Sequence, residues 1–216
     1  MKKDSKINMV RGQVQPYSVN DPSVISAMLH VPREAFVPPK YQDFAYADWT
    51  IPLPHQELML SPQVEGRLLH ELQLSKKDSV LEVGTGSGYF SALLGLLSKQ
   101  VLSVDCYRDF SDQAALAMIE LGIHNLRFET RDVAQAWEDS RCFDAIVITG
   151  GLLKIPASYY QALNPGGRLV AFVGDVEEMH VMKVTRTATG FQEKLCFDAQ
   201  VPMLKNSARV STFEFN

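Results

Sequence analysis

The residues with the clearest chemical pattern lie between positions 80 and 90, where the chain reads VLEVGTGSGYF. An apolar run typical of a buried strand leads directly into Gly84, Gly86 and Gly88, and a helical pattern follows. Glycines let the backbone turn sharply and approach a ligand closely, and the free N–H groups at a helix start favour an anion. The stretch therefore predicts a small-molecule site, with Thr85 inside its glycine loop.

Acidic residues stand at the ends of three successive predicted strands. Glu82 lies just before the first glycine, Asp105 ends VLSVD, and Asp132 follows LRFET. Because the carboxyl ends of parallel strands meet at one edge of a sheet, we expect these side chains to converge. The carboxylate of Asp105 can accept hydrogen bonds from neighbouring hydroxyls such as those of a ribose. We expect Cys106 and Val133, the next residues after two of these acids, beside the same ligand.

A parallel sheet is needed to bring these positions together, and the chain from about residue 75 carries its pattern. Short apolar runs alternate with helical patterns through SVLEVG, FSALLGLLS, VLSVD, FSDQAALAMIELG, LRFET and FDAIVIT, which is the βαβ repeat. We predict a doubly wound, mostly parallel α/β sheet covered by helices on both faces. The helix at 89 to 98 would pack on it through Phe90, Leu93, Leu94 and Leu97, and the next helix should end at Gly122.

The two ends of the chain differ from this repeat. After a tight turn at 164 to 167, strands are expected in RLVAFVG, HVMKVTRT and EKLCFDAQVPML, and the ATG between the last two predicts an antiparallel C-terminal hairpin. Near the start, Asp21 can cap a short helix whose apolar face is Val24, Ile25, Met28 and Leu29. We predict that residues 1–60 form an N-terminal helical cap with a substrate loop, packed on an α/β domain of residues 61–216.

Composition narrows the environment and the partners. The formal charge of −4 on 216 residues gives no basic field for nucleic acid. The cysteines Cys106, Cys142 and Cys196 are widely spaced in or beside apolar runs, so we interpret them as buried thiols rather than as a disulfide framework or metal site. No apolar run suits a signal peptide or a membrane span. We expect a cytoplasmic protein without a nucleic-acid, membrane or metal partner.

The glycine spacing distinguishes two kinds of nucleotide-like ligand. Dinucleotide-binding folds carry G-x-G-x-x-G, so the spacing disfavours the alternative of a nicotinamide-dependent oxidoreductase. The G-x-G-x-G form with a leading acid resembles motif I of class I S-adenosylmethionine-dependent methyltransferases. The resemblance implies S-adenosylmethionine as cofactor, S-adenosylhomocysteine as product, and an acid at the third strand end that accepts the adenine amino hydrogen. The implied cofactor residues are Glu82, Gly84, Thr85, Gly86, Gly88, Asp105, Cys106, Asp132 and Val133.

A narrower resemblance covers nearly the whole chain. The order NMVRGQV, VPREAFVPP, YADWTIPLPHQ, VLEVGTGSGYFSALL and then residues 143 to 174 resembles the protein-L-isoaspartate O-methyltransferase family. This resemblance implies a protein-repair activity that methylates a carboxylate of an isoaspartyl-containing protein or peptide.

The substrate loop departs from that family. Members usually carry G-Q-T-I-S-x-P there, and aligned on Pro62 this chain has Leu58 and Leu60 at the threonine and serine positions. An ionised carboxylate is already nucleophilic, so methyl transfer to it needs no general base. What the enzyme supplies is in-line placement, which can lower the barrier by roughly 7 to 11 kcal/mol. A lost charged hydrogen bond costs about 1.5 to 3 kcal/mol, which predicts at least a tenfold slower isoaspartyl reaction. The alternatives are therefore a different acceptor, or a non-catalytic S-adenosylmethionine-binding or interaction module.

No single residue of this loop stands out as catalytic. His55 could approach a substrate as a donor that switches with pH, but we favour a turn residue satisfied by backbone. We expect Glu57 to face water and Ser61 to cap a helix that begins at Pro62. Met59 and Leu60 would close the adenosyl pocket or anchor the cap. The loop thus lies over the methyl donor with an apolar lining.

Overall fold

The structure, a computed structural model, describes residues 2–175 and 177–208. Its helices are α1 (Lys2–Met9), α2 (Pro22–His30), α3 (Pro62–Leu72), α4 (Tyr89–Leu97), α5 (Arg108–Leu121) and α6 (Ala157–Gln161). Its strands are β1 (Ile51–Pro52), β2 (Leu58–Met59), β3 (Ser79–Val83), β4 (Gln100–Asp105), β5 (Leu126–Thr130), β6 (Phe143–Leu152), β7 (Leu163–Gly174), β8 (Met179–Arg186) and β9 (Phe191–Asp198). None of these helices is both long enough and apolar enough to cross a bilayer.

Strands β3 to β9 form one sheet in the order β5-β4-β3-β6-β7-β8-β9. The strands from β5 to β7 in that order are parallel, whereas β8 and β9 run antiparallel to their neighbours. The predicted doubly wound, mostly parallel sheet with an antiparallel C-terminal hairpin is confirmed. The chain moves outward from β3 in one direction and then returns to β6 on the other side, which creates a switch point where such sheets bind ligands.

Alternation along the central strands divides the core between the two faces of the sheet. Val80 and Val147 belong to one buried cluster, which also takes in the N-terminal helices, α3 and α4. Leu81 and Ile146 belong to a second cluster on the opposite face, with Tyr159 of α6. Burial on both faces explains why these strands read as continuous apolar runs.

The predicted helix boundaries agree closely with the structure. Gly122 ends α5 with φ 67, and the carboxylate of Asp21 accepts a hydrogen bond from the Ser23 N–H at the start of α2. The apolar face of α2 was predicted too wide: Val24 and Met28 are buried, but Leu29 is 36% exposed because it lies on the outer side of the helix. The first helix, α1, was not predicted from the sequence. It is followed by a π-helical turn that buries Val10 and Val14.

The C-terminal segment corrects the sequence prediction. The hairpin connection at 187–190 is present, with Thr187 N–H bonded to the Gly190 carbonyl, but β9 ends at Asp198 and excludes VPML. Residues 201–204 instead return to the end of β6, where Gly151 N–H donates to Pro202 O and Leu204 N–H donates to Gly151 O, each at 2.8 Å. The NPGG turn lies within β7 as an irregularity in its pairing with β6.

The cysteine prediction was only partly right. All three thiols are free, but Cys142 is exposed and Cys106 and Cys196 are half-buried. Cys142 lies in the connection before β6, outside the apolar run that follows it. Residues on both sides of position 60 share one buried cluster. The proposed division of the chain at residue 60 stays a prediction.

Candidate active site

The glycine loop joins β3 to α4 at the switch point of the sheet. Gly84, Gly86 and Gly88 all have positive φ, at 99, 50 and 81 degrees, where glycine is favoured. A Cβ on Gly84 would come within 2.3 Å of the Thr149 hydroxyl, which itself donates to the carbonyls of Val83 and Gly84. The backbone therefore approaches its neighbours too closely for any larger residue.

Two of the predicted ligand residues, Glu82 and Gly88, support the loop. Gly88 faces α5, because a Cβ there would meet Ala114 at 2.7 Å. Glu82 is fully buried beneath the loop and accepts hydrogen bonds from the hydroxyls of Ser91 and Ser103. Neither residue lines the cleft, and ligand contact by Glu82 and Gly88 stays a prediction.

The polar group under the loop is compact and deeply buried. Ser103 Oγ lies 2.6 Å from Thr85 Oγ1, which links Glu82 to the glycine loop above it. Burial raises the pKa of Glu82 to about 8, although the two serine hydroxyls act in the opposite direction. One of its carboxyl oxygens, Oε1, has no partner among the described residues. Glu82 therefore supports the loop mainly in its protonated form.

Asp105 occupies the predicted position at the end of β4. Its two oxygens accept hydrogen bonds from the N–H groups of Gly86, at 3.0 Å, and Tyr107, at 2.9 Å. The carboxylate is therefore held in the cleft wall while lone pairs remain for a ligand. The thiol of Cys106, also in the wall, has its pKa raised to about 11, first by burial and then by the charge of Asp105.

The third strand end also reaches the cleft. Asp132 and Val133 lie in its wall, and Asp132 accepts hydrogen bonds from Ala134 N–H at 3.2 Å and from the amide of Asn206 at 2.6 Å. The Asn206 contact brings the C-terminal segment against this strand end. Arg131 beside them stacks over Trp137, with its guanidinium carbon 4.9 Å from the ring centre.

The substrate loop, residues 52–62, passes beside the glycine loop, with Leu53 3.6 Å from the place of a Cβ on Gly86, but two of its side chains are placed differently from the prediction. His55 is held by side chains rather than by backbone: its ring stacks on Tyr107 at 4.0 Å, and Nε2 lies 2.9 Å from the Asp109 carboxylate. Tyr107 lines the cleft, but His55, on the other side of that stack, does not. Glu57, expected to face water, is half-buried and lines the cleft. Gln56 has φ 64 at the position where the resembling family carries glycine.

The rest of the loop forms an apolar wall. Leu58, Met59 and Leu60 line the cleft, and Met59 also pairs with Ile51 of β1. Ser61 stands at the start of α3 as predicted, but its side chain makes no capping hydrogen bond, so its predicted role is wrong. It is nearly buried and does not line the cleft.

A buried arginine fixes this wall from below. Arg33 is fully buried, pairs with Glu65 of α3 and donates to the carbonyl of Leu60. Its guanidinium also lies over the ring of Tyr89, 4.8 Å from the ring centre. The N-terminal segment, α3, α4 and the loop therefore meet at one side chain.

Together these elements enclose a cleft of about 830 Å³, its open mouth included. The predicted residues at the strand ends form part of the cleft wall, and many other residues line it as well. Tyr107 and Phe110 follow the predicted Asp105 closely, so distance along the chain could have indicated them. Leu204 and Lys205 line the cleft because the C-terminal segment returns to the end of β6, and no local sequence pattern predicts that return. The missed lining residues are Glu57, Glu65, Val83, Ser87, Phe90, Val104, Tyr107, Phe110, Arg131, Ala134, Thr149, Gly150, Val201, Pro202, Leu204 and Lys205.

Comparison with known proteins identifies the family. The sequence profile of protein-L-isoaspartate(D-aspartate) O-methyltransferase (PCMT) matches residues 5–206. The chain is 36% identical to protein-L-isoaspartate O-methyltransferase 1 of Rhodopseudomonas palustris (strain HaA2), over 83% of this chain and 74% of that protein. It is 32% identical to protein-L-isoaspartate O-methyltransferase of Koribacter versatilis (strain Ellin345), over 93% of this chain and 91% of the relative.

Solved structures show the same fold. A Plasmodium falciparum structure described as a protein-L-isoaspartate O-methyltransferase in complex with S-adenosyl-L-homocysteine superposes with a TM-score of 0.78. The superposition covers 94% of this chain and 98% of that chain at 20% identity. With the profile match and the two bacterial relatives, the chain belongs to the protein-L-isoaspartate(D-aspartate) O-methyltransferase family.

Proposed function

We propose that the protein transfers a methyl group from S-adenosylmethionine to the side-chain carboxylate of an isoaspartyl residue in a protein or peptide. As a member of its family it is an S-adenosylmethionine-dependent O-methyltransferase. The observation that carries the proposal is the convergence of the glycine loop, Asp105 and Asp132 on one cleft under the substrate loop. The wall combines a few polar side chains at the strand ends with apolar side chains of the substrate loop, the mixture that small-molecule sites show.

The residues present fit the cofactor. The glycine loop leaves room for a ligand, because a Cβ on Gly86 would meet only Leu53, at 3.6 Å, while the Gly86 N–H is held by Asp105. Asp105 has lone pairs for ribose hydroxyls, and Asp132 stands where an adenine amino group would be accepted. The proposed cofactor residues therefore all lie in the cleft wall. They are Gly84, Thr85, Gly86, Asp105, Cys106, Asp132 and Val133.

The chemistry asks little of the protein beyond placement. The cofactor, when bound, supplies an electrophilic methyl group, and the isoaspartyl carboxylate is ionised at neutral pH. Leu58, Met59 and Leu60 exclude water from the acceptor end, and Arg33 holds the carbonyl of Leu60 in place. The Thr149 hydroxyl is already engaged with two backbone carbonyls, so it is not a free donor for the acceptor.

The test uses two peptides that differ only in the linkage of one aspartyl residue. With a methyl-labelled donor, the isoaspartyl peptide should gain a base-labile methyl ester and the aspartyl peptide should not. Binding of S-adenosylhomocysteine is measured in the same preparation. Equal labelling of both peptides would contradict the proposed acceptor.

A second candidate function follows from Leu58 and Leu60, which remove the hydroxyls that family members usually carry in this loop. It is a module that binds S-adenosylmethionine without methylating isoaspartyl residues. Binding of S-adenosylhomocysteine with no label in the isoaspartyl peptide would favour this candidate. Label in the peptide would exclude it.

A further inference from the structure

Glu57 is the acidic residue of the substrate loop, and its backbone is firmly held. Its N–H donates to Pro54 O at 3.1 Å and its carbonyl accepts from Leu53 N–H at 2.9 Å. The half-buried side chain lines the cleft. Within the described part of the chain its carboxylate makes no hydrogen bond or ion pair. It is therefore an available acceptor in a fixed position.

Contacts on either side place Glu57 close to Asp105. His55, two positions earlier in the loop, stacks on Tyr107, which lies two positions after Asp105. The hydrogen bond between His55 and Asp109 fastens the loop to the first turn of α5 at a second point. The loop acid and the strand-end acid therefore belong to the same part of the cleft.

The two carboxylates affect one another electrostatically. Burial raises the pKa of Glu57 most, and the negative charge of Asp105 raises it further, while His55 and Lys205 act in the opposite direction. Like charges that share a partly buried site destabilise each other unless donors or cations lie between them. The described residues supply no such donor to Glu57, whereas Asp105 receives one N–H at each oxygen.

We propose that Glu57 is a further cofactor-binding residue, which together with Asp105 clamps the ribose hydroxyls of S-adenosylmethionine. This inference rests on the proposed function, because it assumes that the cleft holds this cofactor. Two adjacent hydroxyls provide two donors, one for each carboxylate. The bound S-adenosylmethionine then bridges the substrate loop and β4, so the cofactor itself helps to hold the loop against the cleft. Members of the resembling family usually carry glutamine here, so the negative charge is a property of this chain.

The experiment compares two ligands by isothermal titration: S-adenosylhomocysteine, and 5′-methylthioadenosine, which has the same ribose and adenine but no amino-acid group. Glu57→Leu should weaken both about tenfold and by the same factor, since it removes one charged hydrogen bond to the shared ribose. Glu57→Gln keeps an oxygen acceptor and should weaken both by less. Glu120→Leu, at an exposed acid of α5 outside the cleft, is the matched control and should change neither affinity.

Three outcomes separate the possibilities. Unchanged affinity of Glu57→Leu for both ligands overturns the clamp, and a loss confined to S-adenosylhomocysteine overturns it by assigning Glu57 to the amino-acid end. If the wild-type protein binds neither ligand, the proposed function itself fails. Thermal melts without ligand check that each variant folds, and Glu57→Ala gives the same comparison if the leucine variant does not.

Discussion

At the scale of single residues, the proposed acceptor end of the cleft depends on two side chains. Leu58 and Leu60 line it without any donor, and the nearby Thr149 hydroxyl is already engaged. The double variant Leu58→Thr with Leu60→Ser should raise kcat/KM for an isoaspartyl peptide at least tenfold, because a charged hydrogen bond contributes about 1.5 to 3 kcal/mol. Initial rates over a range of peptide concentrations measure the effect.

The matched control for that variant is Met59→Ile. It places the usual family residue between the two leucines and adds no donor, so it should leave kcat/KM nearly unchanged. An equal gain from both variants would assign the effect to loop packing rather than to hydrogen bonding.

Glu82 predicts a defined pH dependence of stability. Its pKa rises from the ordinary 4.5 to about 8 in the folded protein because the carboxyl is buried. The protonated carboxyl therefore contributes its full stability below pH 4.5, and that contribution is lost as the pH rises to about 8. The variant Glu82→Gln cannot ionise, so its free energy of unfolding relative to wild type should improve steadily from pH 5 to pH 8.

Denaturant unfolding of both proteins at each pH measures this difference, in which the other titrating groups largely cancel. A difference that stays constant with pH would show that Glu82 is ionised in the folded state.

At the scale of elements, the substrate loop is joined to the fold through a buried ion pair. Arg33 and Glu65 connect the N-terminal segment to α3, and Arg33 also holds the Leu60 carbonyl. Removing one partner of a buried pair costs about 3 to 5 kcal/mol, because the other charge is left uncompensated. Glu65→Gln should therefore lower the free energy of unfolding by about 3 kcal/mol.

The control lies on the same helix. Glu71 of α3 makes longer ion pairs with Lys183, at 3.6 Å, and Lys194, at 3.7 Å. Since such surface pairs contribute about 1 kcal/mol or less, Glu71→Gln should cost far less than Glu65→Gln. Equal costs in denaturant unfolding would mean that the buried pair does not anchor the loop.

The end of α5 offers a test of backbone conformation alone. Gly122 has φ 67 and no atom within 4 Å of the place a Cβ would occupy, so substitution there strains only the backbone. Gly122→Ala should cost about 1 to 2 kcal/mol of unfolding free energy. Gly12→Ala is the control, since that glycine is equally open but lacks the positive φ, and it should be neutral or slightly stabilising. Similar changes in both would contradict the assignment of the cost to the left-handed cap.

At the scale of the whole molecule, much of the sheet could be predicted because its strands are buried on both faces. Apolar runs such as DAIVIT, and the glycine loop after β3, can be predicted from neighbouring residues alone. The cap at Gly122 and the hairpin at 187–190 are local in the same way. These features depend on residues that lie close together along the chain, so the sequence pattern was sufficient.

The errors arose where contacts join distant parts of the chain. VPML was predicted to continue β9, but its hydrogen bonds to Gly151 carry it across the end of β6 to form a wall of the cleft. His55 could not be matched to Tyr107 and Asp109, because only the folded chain brings the loop and α5 together. The hydrogen bonds of Glu82 to Ser91 and Ser103 were not foreseen either, because those serines belong to two other elements.

The most direct test of the account is the affinity of the protein for S-adenosylhomocysteine, measured by isothermal titration for the wild type, Asp105→Ala and the exposed control Asp112→Ala. We predict that the wild type and the Asp112 variant bind alike, and that Asp105→Ala binds more than tenfold more weakly through loss of the ribose hydrogen bonds. Equal affinities of all three proteins, or no binding by the wild type at millimolar ligand, would contradict it.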